Sequence, residues 1–69
     1  MSQPIDITLN GEATRMESPA TVATLVRLRS PRPPFAVEVN RQLVRHGEYE
    51  RTALQPGDRV EIVTLVGGG

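Results

Sequence analysis

The residues with the clearest chemical potential are three consecutive glycines, Gly67, Gly68 and Gly69, which follow a β-prone stretch ending at Val66. Glycine adds no side chain to packing and loses much entropy when it is ordered, so this run predicts a thin thread. We expect the Gly69 carboxylate to be the chain terminus, able to enter a channel that any Cβ would block. An inert, frayed end is the alternative. The position directly after a strand favours a group carrier that an enzyme activates with ATP.

Composition limits what other chemistry the chain can perform. It has 69 residues, of which 38% are apolar, and eight arginines balance eight acidic side chains. A domain of this size holds a small core without an enzyme-sized cleft, so we expect no enzyme. Zero net charge gives no bulk attraction to nucleic acid or to an anionic membrane. Cysteine is absent, which excludes disulfides, thiolate metal sites and cysteine nucleophiles.

The remaining candidate side chains give weaker signals. His46 has no cysteine or paired carboxylates at ligand spacing, so we interpret it as an exposed loop residue and expect no metal. Arg27, Arg29 and Arg32 cluster near a predicted helix end, where cations interact favourably with the helix dipole, although they could also meet an acidic partner. The first residues lack the basic and apolar regions of a signal peptide, and no apolar run could span a bilayer. We therefore expect a cytoplasmic protein.

Hydrophobic periodicity predicts the elements that position the tail. Asn10 and Gly11 are typical of a tight hairpin turn between two strands, and Ser18 before Pro19 predicts a helix start. In chain order we predict strands over 5–9 and 12–17, a helix over 20–29, strands over 35–39 and 43–44, one helical turn between 46 and 53, a turn over 55–58 and a strand over 60–66.

This order of elements predicts an α+β fold. One main helix is available to cover a mixed sheet of four to five strands, which fits a β-grasp roll with the first and last strands parallel neighbours at its centre. We expect one domain over residues 1–66 and a flexible tail over 67–69. The predicted core consists of Ile5, Ile7, Leu9, Val22, Leu25, Val26, Val37, Val39, Leu43, Leu54, Val60 and Ile62.

The last strand also predicts a partner surface. If Val60 and Ile62 face the core, the period of two turns Val63 and Leu65 to the opposite face of the sheet. We expect these two residues, with Val66, to form an exposed apolar interface that leads a partner toward the tail. The alternative is that a neighbouring loop covers them.

Several segments together carry a family resemblance. They are ITLNGE at 7–12, TVATLV at 21–26, AVEVN at 36–40, LQPGDRVEIV at 54–63 and VGGG at 66–69. In this order, and ending in glycine, they resemble the ThiS family of sulfur carrier proteins of thiamine biosynthesis, over nearly the whole chain. The resemblance implies a ubiquitin-like β-grasp fold, which agrees with the β-grasp roll predicted from the element order.

The resemblance also implies a role for the tail. A ThiF-type enzyme would adenylate the Gly69 carboxylate, using ATP and Mg²⁺ that this chain does not bind itself. A sulfur donor system such as a cysteine desulfurase would then convert it to a thiocarboxylate, which supplies sulfur to a ThiG-type thiazole synthase. Gly68 matches the family's terminal pair, and we assign Gly67 only a tether role.

Three alternatives stay open at this point. A related carrier could serve molybdopterin, tRNA thiolation or cysteine synthesis with the same fold and tail. A ubiquitin-like modifier would form conjugates that require Gly69 and target lysines. A plain interaction module would bind its partner equally well without Gly68 and Gly69.

Overall fold

Five strands form one mixed sheet. The computed structural model describes residues 3–65. Its elements, in chain order, are β1 (Pro4–Leu9), β2 (Glu12–Glu17), α1 (Val22–Arg29), β3 (Phe35–Val39), β4 (Gln42–Val44), a 3₁₀ helix (His46–Arg51) and β5 (Arg59–Thr64). The order of strands across the sheet is β2-β1-β5-β3-β4, so the last strand of the chain lies in the centre.

The pairing of the strands confirms the β-grasp arrangement predicted from the element order. The pairs β1–β2, β3–β4 and β3–β5 are antiparallel. The first and last strands are parallel and share a short register, with Leu9 opposite Val60. Because β1 ends at Leu9, the second half of β5 continues past its parallel neighbour and keeps only β3 beside it.

Both hairpins turn through two residues with left-handed backbone. Asn10 and Gly11 have φ angles of 49° and 84°, as the asparagine–glycine pair predicts. The second hairpin is also confirmed, with φ angles of 52° at Asn40 and 70° at Arg41. Arginine carries a Cβ that disfavours this conformation, so the antiparallel pairing of β3 with β4 holds the second turn against a local preference.

The prediction that Ser18 caps the helix is wrong. The cap is Thr21, whose Oγ1 accepts from the Thr24 N–H at 3.3 Å, while Thr24 Oγ1 accepts from the Thr21 N–H at 3.2 Å. This reciprocal pair is a capping box built from two threonines, and it starts α1 at Val22. Ser18 instead donates its N–H to the Gln3 carbonyl at 3.0 Å. The helix ends where Ser30 adopts a left-handed conformation.

The core lies between α1 with the 3₁₀ helix and one face of the sheet. Most predicted core residues are buried, and Val26, Val39 and Ile62 are partly buried against them. Leu43 is the exception, because it is 64% exposed. The register of β4 places Val44 opposite the buried Val37 and turns Leu43 to the other face. The buried residues are Ile5, Ile7, Leu9, Met16, Ala20, Val22, Ala23, Leu25, Val37, Val44, Tyr49, Leu54 and Val60.

Candidate functional site

The predicted reactive tail begins just after the central strand of the sheet. β5 is hydrogen-bonded to β3 along its length and to β1 at its start, and Leu65 continues this pattern by donating its N–H to the Pro34 carbonyl at 2.8 Å. Val66, Gly67, Gly68 and Gly69 lie outside the described residues, so their roles stay predictions. The described structure therefore ends at Leu65, four residues before Gly69.

Asparagine side chains from the two hairpin turns hold β5 from both sides. Beyond the end of β1, Asn10 Oδ1 accepts from the Ile62 N–H at 2.9 Å, and its Nδ2 donates to the Ile62 carbonyl at 3.3 Å. On the other side, Asn40 Oδ1 accepts from the Arg59 N–H at 2.9 Å, and its Nδ2 donates to Asp58 Oδ1 at 3.0 Å. Sequence reasoning used Asn10 only as a turn residue and missed this contact.

The alternation of β5 turns two apolar side chains away from the core. Val60 is fully buried and Ile62 is partly buried, whereas Val63 is 45% exposed and Leu65 is 51% exposed. Neither side chain is covered by a neighbouring loop within residues 3–65. Both side chains are therefore exposed as expected, but only Val63 lies in β5. The prediction of a strand over 60–66 is wrong at its end, because β5 ends at Thr64 and Leu65 follows it. A partner for the two side chains is not shown.

The outer face of the sheet, opposite the core, extends this apolar surface across three strands. Val63 pairs with Ala36 of β3, and the next outward pair is Glu61 with Glu38. Glu38 in turn pairs with the exposed Leu43 of β4. Apolar and acidic side chains thus share the part of the face nearest the end of β5.

At the other edge of the sheet, the outer face carries an ion pair. The Arg15 guanidinium of β2 donates to Asp6 of β1 through Nε to Oδ1 at 3.0 Å. This hydrogen bond, together with the charge of Arg15, lowers the pKa of Asp6 from its ordinary value of 3.8. Both side chains are well exposed, so water and salt weaken the pair.

The other candidates from the sequence lie away from β5's outer face. His46 is exposed, and its ring meets the buried Tyr49 ring edge-on, with centroids 5.0 Å apart. Arg27 and Arg29 occupy the last turn of α1, as expected for cations near a helix C-terminus, and Arg32 follows in the proline-rich loop. Within residues 3–65, no three His, Cys, Asp or Glu side chains are grouped so that they could hold a metal ion.

The helices were also compared with the length and hydrophobicity that a membrane span requires. None of the helices that the structure describes is long and apolar enough to cross a bilayer.

Comparison with known proteins adds family information to this geometry. The family model of the ThiS family matches residues 4–69. A thiazole synthase of Paramagnetospirillum magneticum is 34% identical over 64 residues, which is 91% of this chain but only 20% of that protein. The uncharacterized protein ycf40 of Porphyra purpurea is 32% identical over 72 residues and is matched over 99% of its length, with 100% of this chain covered.

Solved structures of a thiamine biosynthesis protein from Geobacter metallireducens share the fold. Its ThiS crystal structure superposes with a TM-score of 0.79 at 23% identity, covering 94% of this chain and 100% of that one. The solution structure gives a TM-score of 0.76 at 23% identity, covering 94% of this chain and 88% of that one. At this level of identity the likeness establishes the fold.

Proposed function

This chain belongs to the ThiS family, and from that premise we propose that it is a sulfur carrier of thiamine biosynthesis. The observation that carries the proposal is the extent of the family match, which runs from residue 4 through Gly69 and so includes the three glycines. In this proposal the chain is a protein substrate rather than an enzyme, because the reacting atoms belong to its own carboxylate.

The proposed chemistry has two steps at the Gly69 carboxylate. A carboxylate oxygen attacks the α-phosphorus of ATP on a ThiF-type enzyme, which forms an acyl-adenylate and releases pyrophosphate. A sulfur nucleophile at the oxidation level of sulfide then attacks the acyl carbon and displaces AMP, leaving a thiocarboxylate. Mg²⁺ and the groups that stabilise phosphate belong to the activating enzyme. The use of ATP suits a cytoplasmic location.

The thiocarboxylate suits a chain without cysteine, because it stores nucleophilic sulfur on the backbone terminus itself. A cysteine desulfurase or another donor would supply this sulfur as a persulfide, and a thiol reductant would cleave the S–S bond so that the sulfur stays on the carrier at the oxidation level of sulfide. We propose a ThiG-type thiazole synthase as the acceptor. The proposal is supported by the thiazole synthase relative, in which a segment similar to this chain makes up 20% of a longer polypeptide.

The fold supports the proposal through β5. Val63 in β5 and Leu65 directly after it are exposed, and they lie six and four residues before Gly69. A partner that contacts them is therefore already close to the reactive end. We propose that Val63 and Leu65, with Val66, form the apolar interface for the activating enzyme, and that Gly67 and Gly68 pass through its channel.

Intact mass spectrometry tests the proposal. The chain is co-expressed with a ThiF-type enzyme and a cysteine desulfurase, and the expected product has one oxygen replaced by sulfur. Deleting Gly69 should abolish that change, and Gly68→Ala should slow it because a Cβ obstructs a narrow channel.

Gly47→Ala is the matched control, because a Cβ at Gly47 meets no atom within 4 Å and the residue has no left-handed φ. It should be modified like the wild type. If the same enzymes modify a known carrier but leave this chain unchanged, the carrier function is refuted. Lysine-linked conjugates that require Gly69 would instead indicate a ubiquitin-like modifier.

A further inference from the structure

Two carboxylates lie directly opposite each other on the outer face of the sheet. Glu38 of β3 and Glu61 of β5 are antiparallel partners, and directly opposite residues have Cβ atoms about 4.5–5.5 Å apart. Glu61 is exposed and Glu38 is partly exposed. Within residues 3–65 neither carboxylate forms an ion pair or a side-chain hydrogen bond. Neither carboxylate is therefore paired with a cation among these residues.

Such a pair is unfavourable for the isolated protein, because like charges directly opposite each other destabilise a sheet. The sequence offers a cation close by, since Arg59 precedes Glu61 by two positions and so shares its face. Arg59 nevertheless forms no ion pair in the part of the chain that the structure describes. The fold alone gives no reason for two acids at these positions.

Exposed apolar side chains adjoin the two acids. Leu43 is the β4 neighbour of Glu38, and Val63 follows Glu61 on the same face of β5. Leu65 continues that face toward the tail, and all three apolar side chains are exposed. We call these five residues the outer-face patch: Glu38, Leu43, Glu61, Val63 and Leu65. A charged centre with apolar neighbours can pair with a cation and exclude water from it.

We propose that the outer-face patch docks the activating enzyme by receiving one of its cationic side chains between Glu38 and Glu61. This inference rests on the proposed carrier function and names the chemistry of the partner surface. Arginine fits best, since its planar guanidinium can donate to two carboxylates at once. The flanking Leu43 and Val63 would then contact apolar residues around that arginine.

The reach of the tail favours an enzyme that acts on Gly69 as the occupant, and the activating enzyme is the first of these in the proposed reaction. Gly69 follows Leu65 by four residues, so covalent geometry allows at most about 14 Å between their Cα atoms. An enzyme whose catalytic centre receives the Gly69 carboxylate must therefore come close to the patch.

Charge argues against two other occupants. A second copy bound symmetrically through the same patch would bring four carboxylates together, and an anionic lipid surface would be repelled. A cationic, partly apolar protein surface remains the complementary partner.

The test uses glutamine substitutions, which preserve side-chain size and remove charge. We measure the carrier KM of ATP–pyrophosphate exchange by the activating enzyme for Glu38→Gln, Glu61→Gln and the double variant. Each single change should raise KM about threefold at low salt, and the double change about tenfold. The double variant should also lose most of the salt dependence of KM. Glu48→Gln, an exposed acid on the 3₁₀ helix, is the matched control and should leave KM unchanged.

Thermal unfolding separates docking from folding. Removing either charge relieves the repulsion, so Tm should rise by about 1–5 °C while docking weakens. A KM rise accompanied by a fall in Tm would show a structural role and overturn the inference. A second result would also overturn the inference: the wild-type chain is adenylated, and the double variant has the same KM and salt dependence as the wild type. The carrier function would then stand without this docking mode. If the wild-type chain is not adenylated at all, both proposals fail.

Discussion

Replacing Asn10 with glycine should loosen the strand that leads to the tail. The Asn10 side chain makes two hydrogen bonds to the backbone of Ile62, one at 2.9 Å and one at 3.3 Å, beyond the point where β1 ends. Asn10 has a φ of 49°, which glycine adopts without steric strain. The substitution therefore removes the side-chain bonds and leaves the hairpin turn possible.

The expected loss of stability follows from those two bonds. Each is exposed, so water can partly replace it, and we assign about 0.5–1 kcal/mol to each. The greater freedom of glycine in the unfolded chain adds about 0.5–1 kcal/mol. The total is about 1.5–3 kcal/mol, which for a domain of this size lowers Tm by roughly 6–24 °C. Such a loss is a large fraction of the stability of a small domain.

The variant Asn10→Asp separates the contributions of the two hydrogen bonds to stability. Aspartate keeps an acceptor for the Ile62 N–H and tolerates left-handed backbone, but it cannot donate to the Ile62 carbonyl. It should therefore lose less stability than Asn10→Gly. Asn40→Gly is the matched control from the other hairpin turn, since it removes the acceptor of the Arg59 N–H at the start of the same strand.

Chemical unfolding monitored by circular dichroism measures the stability of each variant, and amide hydrogen exchange shows which backbone amides become less protected. In Asn10→Gly the Ile62 amide should exchange faster, whereas in Asn40→Gly the Arg59 amide should respond first. Wild-type stability together with unchanged exchange at Ile62 would show that Asn10 does not hold β5, and the reasoning would be refuted.

Three further substitutions follow from the structure. Leu65→Glu should leave Tm unchanged but lower kcat/KM for adenylation about tenfold. The control Leu28→Glu, at a helix position that is 69% exposed, should change neither quantity. Equal kinetics for the two variants would refute the apolar interface. Arg15→Gln should raise the pKa of Asp6 toward 3.8 in an NMR titration. Because the Asp6 pKa is lowered in the folded state, the small stabilisation by this ion pair is present at pH values above the ordinary pKa of Asp6. It is lost as the pH falls through the lowered pKa, and an unchanged Asp6 titration in Arg15→Gln would contradict this. Val37→Ala should cost about 2 kcal/mol in chemical unfolding, since it removes two methyl groups from a fully buried site, and a loss under 0.5 kcal/mol would contradict that placement.

Local signals predicted most of the fold. The first hairpin follows from Asn10 and Gly11, whose positive φ angles the turn requires, and the strands follow from alternating apolar residues. The helix cap was misplaced because Ser18 and Pro19 form a strong local signal. The threonine pair that caps α1 works through hydrogen bonds between Thr21 and Thr24, and threonine is an uncommon partner at the second position.

Features that depend on long-range register were harder to predict. Leu43 and Val44 are adjacent apolar residues in a strand of three, so the sequence does not indicate which one faces the core. Pairing with β3 decides it, because Val44 lies opposite Val37. The opposition of Glu38 and Glu61 depends likewise on a register between segments that are far apart in the chain. By contrast, the exposure of Val63 follows from the period of two within β5, and Leu65 continues the same alternation just past the end of the strand.

The position of β5 in the sheet gives the proposed carrier a fixed base for its predicted tail. The start of β5 has neighbouring strands on both sides, so it opens only at a cost close to that of global unfolding. The side chain of Asn10 extends the support of β5 to Ile62, past the last residue of β1. We therefore expect the start of the tail to keep a constant position relative to the outer-face patch. A loosened base would spread the positions that Gly69 samples, so the Asn10→Gly variant should be adenylated more slowly even at temperatures where it is fully folded.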